Sequence, residues 1–461
     1  MASRMSSRIA MLFAGLLVVV PLASPAAGHD PQIGVDPSTV SATVAPGGNL
    51  VQGKIVHTAE VPPTPDVVFL ADTTGSMGPA IANVQSAIAN IMTEIATSQP
   101  NARFAVAEYE DFGCGSNDPF LLNQAITADQ TAVQTAVNSW QALPGEGCDE
   151  PESQLFALNQ LATDPAIGFR ANSTRIIAWF GDAPGHDPSG GITLPDSIDA
   201  LQAAGSRVVA VNTPTPGNSG LDATGQATAI TTATTGVFLD NVAANQVSQA
   251  ILDGIQAISV TVTPQVGSCD AGLSVAFNAT SLTVESGEDA SFTETISVAL
   301  NAPQGQTLNC TVDWLVEGAL SGPEFVQQIA ISVPDVTAPT AQCAPTTNPA
   351  GKSIPQAGTN PQSGQNPDGF YELSATDNVD PDPDIFVLDP ATGTVFGPFD
   401  SGTAIKYTQA PGATPNAKKM GSGLSAVAWH IIGQGDAVVY AVDDVGNQST
   451  PVSCQVPPPP K

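Results

Sequence analysis

The sequence predicts an α/β domain with a mostly parallel sheet, followed by β-sandwich modules. Two changes of rhythm predict it. From Asp66 to about Ala257, short continuous apolar runs alternate with segments whose apolar residues recur every three or four positions. After residue 258 that helical period gives way to short strands of alternating polarity, separated by turn residues. A hydrophobic content of 42% supplies enough apolar surface to build cores, so the chain is not a disordered acidic polymer.

The first 28 residues read as a secretory signal. Arg4 and Arg8 precede the apolar run Ile9 to Ala23, and Ala23-Ser24-Pro25-Ala26-Ala27 offers small residues for cleavage. A retained anchor is the competing reading, but the run is short and broken by proline. The expected location is secreted, extracellular or periplasmic, with no membrane insertion once the signal is removed. Residues 29–65 contain "VDPSTVSATVAPGGNLVQGKIVHTAEV", which reads as strand, turn, strand, followed by the hinge "PPTP". Two strands cannot bury a face alone. Either they edge the α/β domain or they pair with strands after 258; the second is the expected arrangement and makes residues 66–257 an insertion whose ends lie close together.

Within 66–257, Val67 to Ala71 is a strand buried on both faces. Ile81, Val84, Ile88, Ile91 and Ile95 then place one apolar stripe on a helix that ends before Pro100. "RFAVAEYE", "RIIAWFG" and "RVVAVN" are strands; "TADQTAVQTAVNSW", "SQLFALNQLA", "DSIDALQAAG" and "NQVSQAILDGIQAI" are helices. Residues 258–336 carry the strands "ISVTVTP", "LSVAFNA", "SFTETISVAL", "LNCTVDWLV" and "FVQQIAISV" of a sandwich. Residues 337–461 form a second β-domain, with a Pro/Gly/Asn/Gln-rich loop over 345–369.

The chain's formal charge is −31, and loss of the leader leaves 10 of the 12 basic residues against 43 acidic ones. Such a field repels nucleic acid and anionic membrane and suits cations. Six cysteines in an exported chain suggest disulfides. They fall into the groups Cys114 and Cys148, Cys269 and Cys310, Cys343 and Cys454, and one bridge per group is the simplest pairing. No Cys-x-x-Cys supports a zinc site instead.

Chemistry concentrates where the first strand stops, at Asp72-Thr73-Thr74-Gly75-Ser76. In an open parallel sheet, ligands bind beyond the carboxyl ends of strands. Asp72, Thr74 and Ser76 offer one carboxylate and two hydroxyls at two-residue steps, a donor set for a hard cation. Helix capping is the bland alternative for such residues. Two further acidic loops shift the balance: "GEGCDEPESQ", with Asp149, Glu150 and Glu152 before a helix, and "AWFGDAPGH", with Asp182 at a strand end. Carboxylates crowded on one edge repel each other, and a divalent ion removes that cost.

These motifs resemble the von Willebrand factor type A (VWA) domain, whose Asp-x-Ser/Thr-x-Ser forms a metal-ion-dependent adhesion site. The Asp-x-Pro-Glu in "CDEPES" and the strand-end "FGDAP" are similar to the integrin-β and hemicentin branch. The resemblance covers about 66 to 257 and implies a Rossmann-like, doubly wound fold. It further implies Mg²⁺ or Ca²⁺ held by Asp72, Thr74, Ser76, Glu152 and Asp182, with one coordination position open for an acidic group on an extracellular protein or glycan ligand. Asp111, Asp149 and the Pro151 carbonyl match a second calcium site, although Gly147 stands where that branch has asparagine. A third site is expected to be absent, since Pro79 and Ala80 replace its acids. A Cys114–Cys148 bridge would pin the loops carrying Asp111 and Asp149.

Weaker features complete the reading. "SATDNVDPDPD", 374–384, is an acidic loop without EF-hand spacing, more simply a solvated turn than a calcium site. With "DVTAPTAQC" and "AVVYAVDDVGNQS" it resembles the hyalin-repeat group of Ig-like modules. His186, four residues after Asp182, is the only distinctive acid–base candidate, and the expected protein is not an enzyme. The expected function is metal-dependent adhesion or ligand binding. The alternatives are a calcium-stabilised structural subunit of an extracellular assembly or, less favoured, a metal-dependent hydrolase.

Overall fold

The computed structural model describes residues 32–113, 119–142, 150–346, 368–419 and 428–454. The predicted leader at 1–28 lies outside the described residues. Strands β1 (Gly34–Asp36), β2 (Thr39–Thr43) and β3 (Asn49–His57) come first. Sequence reading had joined the first two into one strand. Then follow β4 (Pro65–Asp72), α1 (Gly78–Ser98), β5 (Arg103–Tyr109), β6 (Leu121–Thr127), α2 (Gln130–Val137) and α3 (Gln154–Thr163). β7 (Thr174–Gly181), α4 (Leu194–Ala203), β8 (Ser206–Asn212), α5 (Gln226–Ala233), β9 (Val237–Leu239) and α6 (Val247–Gln256) complete the α/β region.

Its sheet has the order β6-β5-β4-β7-β8-β9, parallel except for the antiparallel edge strand β6. β4 is buried at every residue because helices cover both of its faces. Val67, Phe69 and Ala71 meet the α1 stripe and α6 on one side. Val68 and Leu70 meet Leu155, Leu158 and Leu161 of α3 on the other. The strand order reverses at β4, whose neighbours β5 and β7 lead away in opposite directions. In open α/β sheets, ligands bind at such a reversal, beyond the carboxyl ends of the strands.

The second module contributes β10 (Ser259–Cys269), β11 (Leu273–Phe277), β12 (Leu282–Glu285), β13 (Asp289–Val298), β14 (Gln306–Val316), β15 (Ala319–Leu320) and β16 (Val326–Val333). One sheet runs β1-β3-β13-β11; the other runs β12-β10-β14-β16-β2, with β15 paired to β14. The early strands therefore belong to both sheets here: β3 pairs along β13, and β2 runs parallel to β16. The two sheets share one core around Trp314, Phe292 and Ile331. Cys269 and Cys310 are bridged across β10 and β14.

A polar network lies inside that core. Lys54 on β3 and Glu294 on β13 have fully buried side chains, 3.9 Å apart. Lys54 Nζ donates to the Pro37 carbonyl. Glu294 accepts from Gln52 Nε2 at 2.6 Å and from Gln327 Nε2 at 2.9 and 3.0 Å. Burial lowers the Lys54 pKa to about 8, against the opposing pull of Glu294.

The last module comprises β17 (Thr340–Pro345), β18 (Asp368–Thr376), β19 (Asp384–Asp389), β20 (Thr394–Phe399), β21 (Thr403–Gln409), β22 (Asn416–Lys419), β23 (Ala428–Gly433), β24 (Val438–Val442) and β25 (Val452–Ser453). Its sheets, β17-β18-β21-β23-β22 and β20-β19-β24-β25, enclose a core that includes Leu373, Ile405 and Val439. A Cys343–Cys454 disulfide ties β17 to the residue after β25. Among the described residues, no helix is long and apolar enough to cross a membrane.

Breaking one side of a buried ion pair leaves the other charge stranded. Lys54→Met is expected to destabilise the second module by about 3–5 kcal/mol. Adding Glu294→Gln should restore much of that loss. Thermal melts of the two variants beside the parent check this; equal melts for all three would contradict it.

Candidate functional site

Asp72 is the last residue of β4, and Asp182 follows the last residue of β7. Parallel pairing of Ala71 with Phe180 sets these two acids side by side at the strand ends. Both are fully buried. Gly181 lies between them, and a Cβ there would come within 3.2 Å of Asp72 Oδ2 and 2.6 Å of the Tyr109 hydroxyl. A side chain at 181 would therefore occupy the space beside the carboxylate.

The hydroxyls of the loop face these acids rather than capping a helix. Thr74 donates to Asp72 Oδ1 from its backbone N at 2.9 Å and from Oγ1 at 2.7 Å. Ser76 Oγ donates to Asp182 Oδ1 at 3.1 Å and accepts from Asn218 Nδ2 at 3.2 Å. No side chain caps either the short 3₁₀ turn at Gly75–Met77 or α1. Each carboxylate is thus held by one oxygen. The other oxygen, Asp72 Oδ2 or Asp182 Oδ2, is buried without a hydrogen-bond partner, as is the nearby loop hydroxyl Thr213 Oγ1. Burying an acceptor unpaired costs roughly 1–3 kcal/mol, and more for a charged one.

Electrostatics follow from this crowding. Burial first, then the charges of Asp182 and Glu110, raise the Asp72 pKa to about 7 against the pull of the two Thr74 bonds. The Tyr109 phenol is pushed well above its usual range by burial, with Asp72, Glu152 and Asp182 adding to the effect. Glu152 is also buried and is fixed through its backbone, which donates to the Pro184 carbonyl and accepts from His186 N, both at 2.9 Å. Among the described residues, oxygens of Asp72, Glu152 and Asp182 do not all come within 4.8 Å of one another.

The structure places Asp111 differently. Its Oδ1 accepts from Ser153 Oγ at 2.7 Å, and its Oδ2 lies 3.4 Å from His186 Nε2. Pro151 is preceded by a cis peptide at Glu150, whose carboxylate accepts from Ser219 N at 3.0 Å. Asp149, Cys114 and Cys148 lie outside the described residues. Sequence reading overlooked Asn218, Thr213, Glu110 and Tyr109. All but Asn218 stand at or just beyond a strand's carboxyl end, which was the available signal for them; Asn218 carried none.

The assembled donor set is all oxygen: carboxylates of Asp72 and Asp182 with hydroxyls of Thr74 and Ser76, beside Glu152. That chemistry suits Mg²⁺ or Ca²⁺ rather than a metal that prefers sulfur or imidazole.

Residues 66–220 match the family model of the von Willebrand factor A domain, which supports a VWA-domain protein. No curated protein matches the chain. Among solved structures, the chain is similar to proximal thread matrix protein 1 from the mussel byssus, at 12% identity and a TM-score of 0.31. That alignment spans 45% of this chain and 47% of the other, and the likeness is too low to bear on function.

Because the folded pKa of Asp72 lies above the ordinary carboxylate value of 3.8, the folded state holds this proton more tightly than the unfolded one. In chelator-treated protein, the contribution of Asp72 to stability should therefore fall as pH rises from about 4 to about 7 and level off above. Asp72→Asn should remove that slope and raise the melting temperature of the chelated protein at pH 8. Melting curves across pH check the sign; a contribution from Asp72 that grows over this range would contradict it.

Proposed function

We propose that the protein is a secreted adhesion or ligand-binding protein whose VWA domain binds an extracellular partner through a divalent cation. The observation that carries this reading is the pair of buried carboxylates on adjacent strand ends, each with one oxygen lacking a hydrogen-bond partner. Asp72, Thr74, Ser76 and Asp182 would hold Mg²⁺ or Ca²⁺, with Glu152 completing or approaching the set. The cation would supply a Lewis-acidic position for an acidic group of a protein or glycan ligand. Thr74 and Asn218 orient the ligating atoms, and α1 with its apolar stripe anchors the loop to the sheet. The finer assignment is the integrin-β or hemicentin-like branch with a Rossmann-like sheet and Ig-like β-modules, the last of them hyalin-repeat-like. Asp-x-Pro-Glu at 149–152 and the strand-end Asp182 support the branch.

The reading is of a binder rather than an enzyme. His186, a distinctive acid–base candidate near the edge, lies 3.4 Å from Asp111. The net charge of −31 fits a protein that recruits cations and takes neither nucleic acid nor anionic membrane as partner.

Calorimetric titration of the mature protein with Mg²⁺ and Ca²⁺ tests the proposal. One binding event should vanish in Asp72→Ala. The parent event should weaken as pH falls below about 7, since the cation competes with the Asp72 proton. Identical isotherms for parent and variant would reject the site.

A further inference from the structure

We propose that Asp335, Asp377 and Asp443 form a separate calcium site that clamps the second β-module to the last one. The three residues come from three segments. Asp335 lies in the connection between β16 and β17, Asp377 directly follows β18, and Asp443 directly follows β24. The fold brings one carboxylate oxygen of each within 4.8 Å of the others. Each acid is fixed by backbone donors of its own turn: Asp335 Oδ1 by Thr337 N at 3.0 Å, and Asp377 Oδ2 by Val379 N at 2.8 Å and Asp380 N at 3.0 Å. Asp443 accepts from Val445 N at 3.1 Å, Asn447 N at 2.7 Å and Asn447 Nδ2 at 2.8 Å. Asn447 Nδ2 also donates to the Asp335 carbonyl at 3.3 Å, which draws the connection onto the β24 turn.

These bonds position the carboxylates without neutralising them. Asp377 Oδ1 is buried and has no hydrogen-bond partner. Asp335 is nine-tenths buried, and its Oδ1 accepts from Thr337 N. Among the described residues, no Lys, Arg or His forms an ion pair with any of the three. Three like charges held together in partly desolvated positions repel strongly, and a bound cation reverses the sign of that interaction. The donors are all oxygen. Calcium bonds of about 2.3–2.6 Å span oxygens up to ~5 Å apart, whereas Mg²⁺ at about 2.0–2.1 Å demands a tighter cage. The acid in the 374–384 loop thus finds its partners in other segments, which is why local spacing did not show the site.

This site stands apart from the VWA edge and does not rest on the adhesion reading. The test uses the full mature chain in four forms: parent, Asp72→Ala, Asp377→Asn and the double variant. Asn at 377 keeps an acceptor for Val379 N and Asp380 N, so the turn is retained. Calcium titrated by calorimetry should show an event with a Kd of about 0.1–1 mM, the range of extracellular modules. That event should weaken at least tenfold in Asp377→Asn and persist in Asp72→Ala. Calcium, more than Mg²⁺, should also raise the melting temperature of Asp72→Ala but not of the double variant. An Asp377→Asn isotherm that superimposes on the parent's, or an Asp72→Ala protein that neither binds nor is stabilised by calcium, would overturn the clamp. Loss of the Asp72-dependent event alone bears only on the VWA site.

Discussion

The constraint on which the candidate site depends is the burial of two acids at the ends of neighbouring parallel strands. β4 and β7 are packed on both faces, so their carboxyl ends cannot splay to relieve repulsion between Asp72 and Asp182. Gly181 leaves room beside the carboxylate, and Thr74 and Ser76 each hold one oxygen. What remains is a small, oxygen-lined and strongly negative position. In the absence of a cation, a proton on Asp72, retained because burial and the charge of Asp182 raise its pKa, is the nearest substitute.

The β framework serves the same end by restraining the α/β domain where it leaves the chain. Strand β3 precedes the domain and β10 follows it, and both lie in the sheets of one module. Val61 and Ile258, just outside its first strand and last helix, are buried in the α/β core. Arg207 Nη2 pairs with Glu317 of the second module, whose Oε1 in turn accepts from Thr261 N at 2.6 Å. The buried Lys54–Glu294 network anchors one of those flanking strands, linking β3 to β13.

Much of this was legible because burial on both faces writes a continuous apolar strand, and burial on one face writes a helical stripe. Val67 to Ala71 and the Ile81-to-Ile95 series are cases in point. Other elements left weaker marks. α5, "QATAITTA", is rich in threonine and has little helical preference, and β9 is only 3 residues long. β6 is an edge strand half-buried along most of its length, so its polarity does not alternate. Strands β20 to β23 are short and interrupted by glycine or proline turns. At the site, Asp72, Thr74 and Ser76 could be read from their spacing along one loop, and Glu152 and Asp182 from two further acidic loops. Asn218 could not, because its proximity is created by the strand order. Likewise, Asp335, Asp377 and Asp443 are separated in sequence and converge only through the two sheets of the last module.

The central claim is that the Asp72 edge holds a divalent cation. A crystal structure of the mature protein grown with Mn²⁺, examined by anomalous scattering, tests it most directly. The account predicts a peak bonded to Asp72, Ser76 and Thr74, with the Ser76–Asp182 hydrogen bond opened to admit it. Hydroxyls still donating to the two carboxylates, with no peak between them at saturating Mn²⁺, would contradict it.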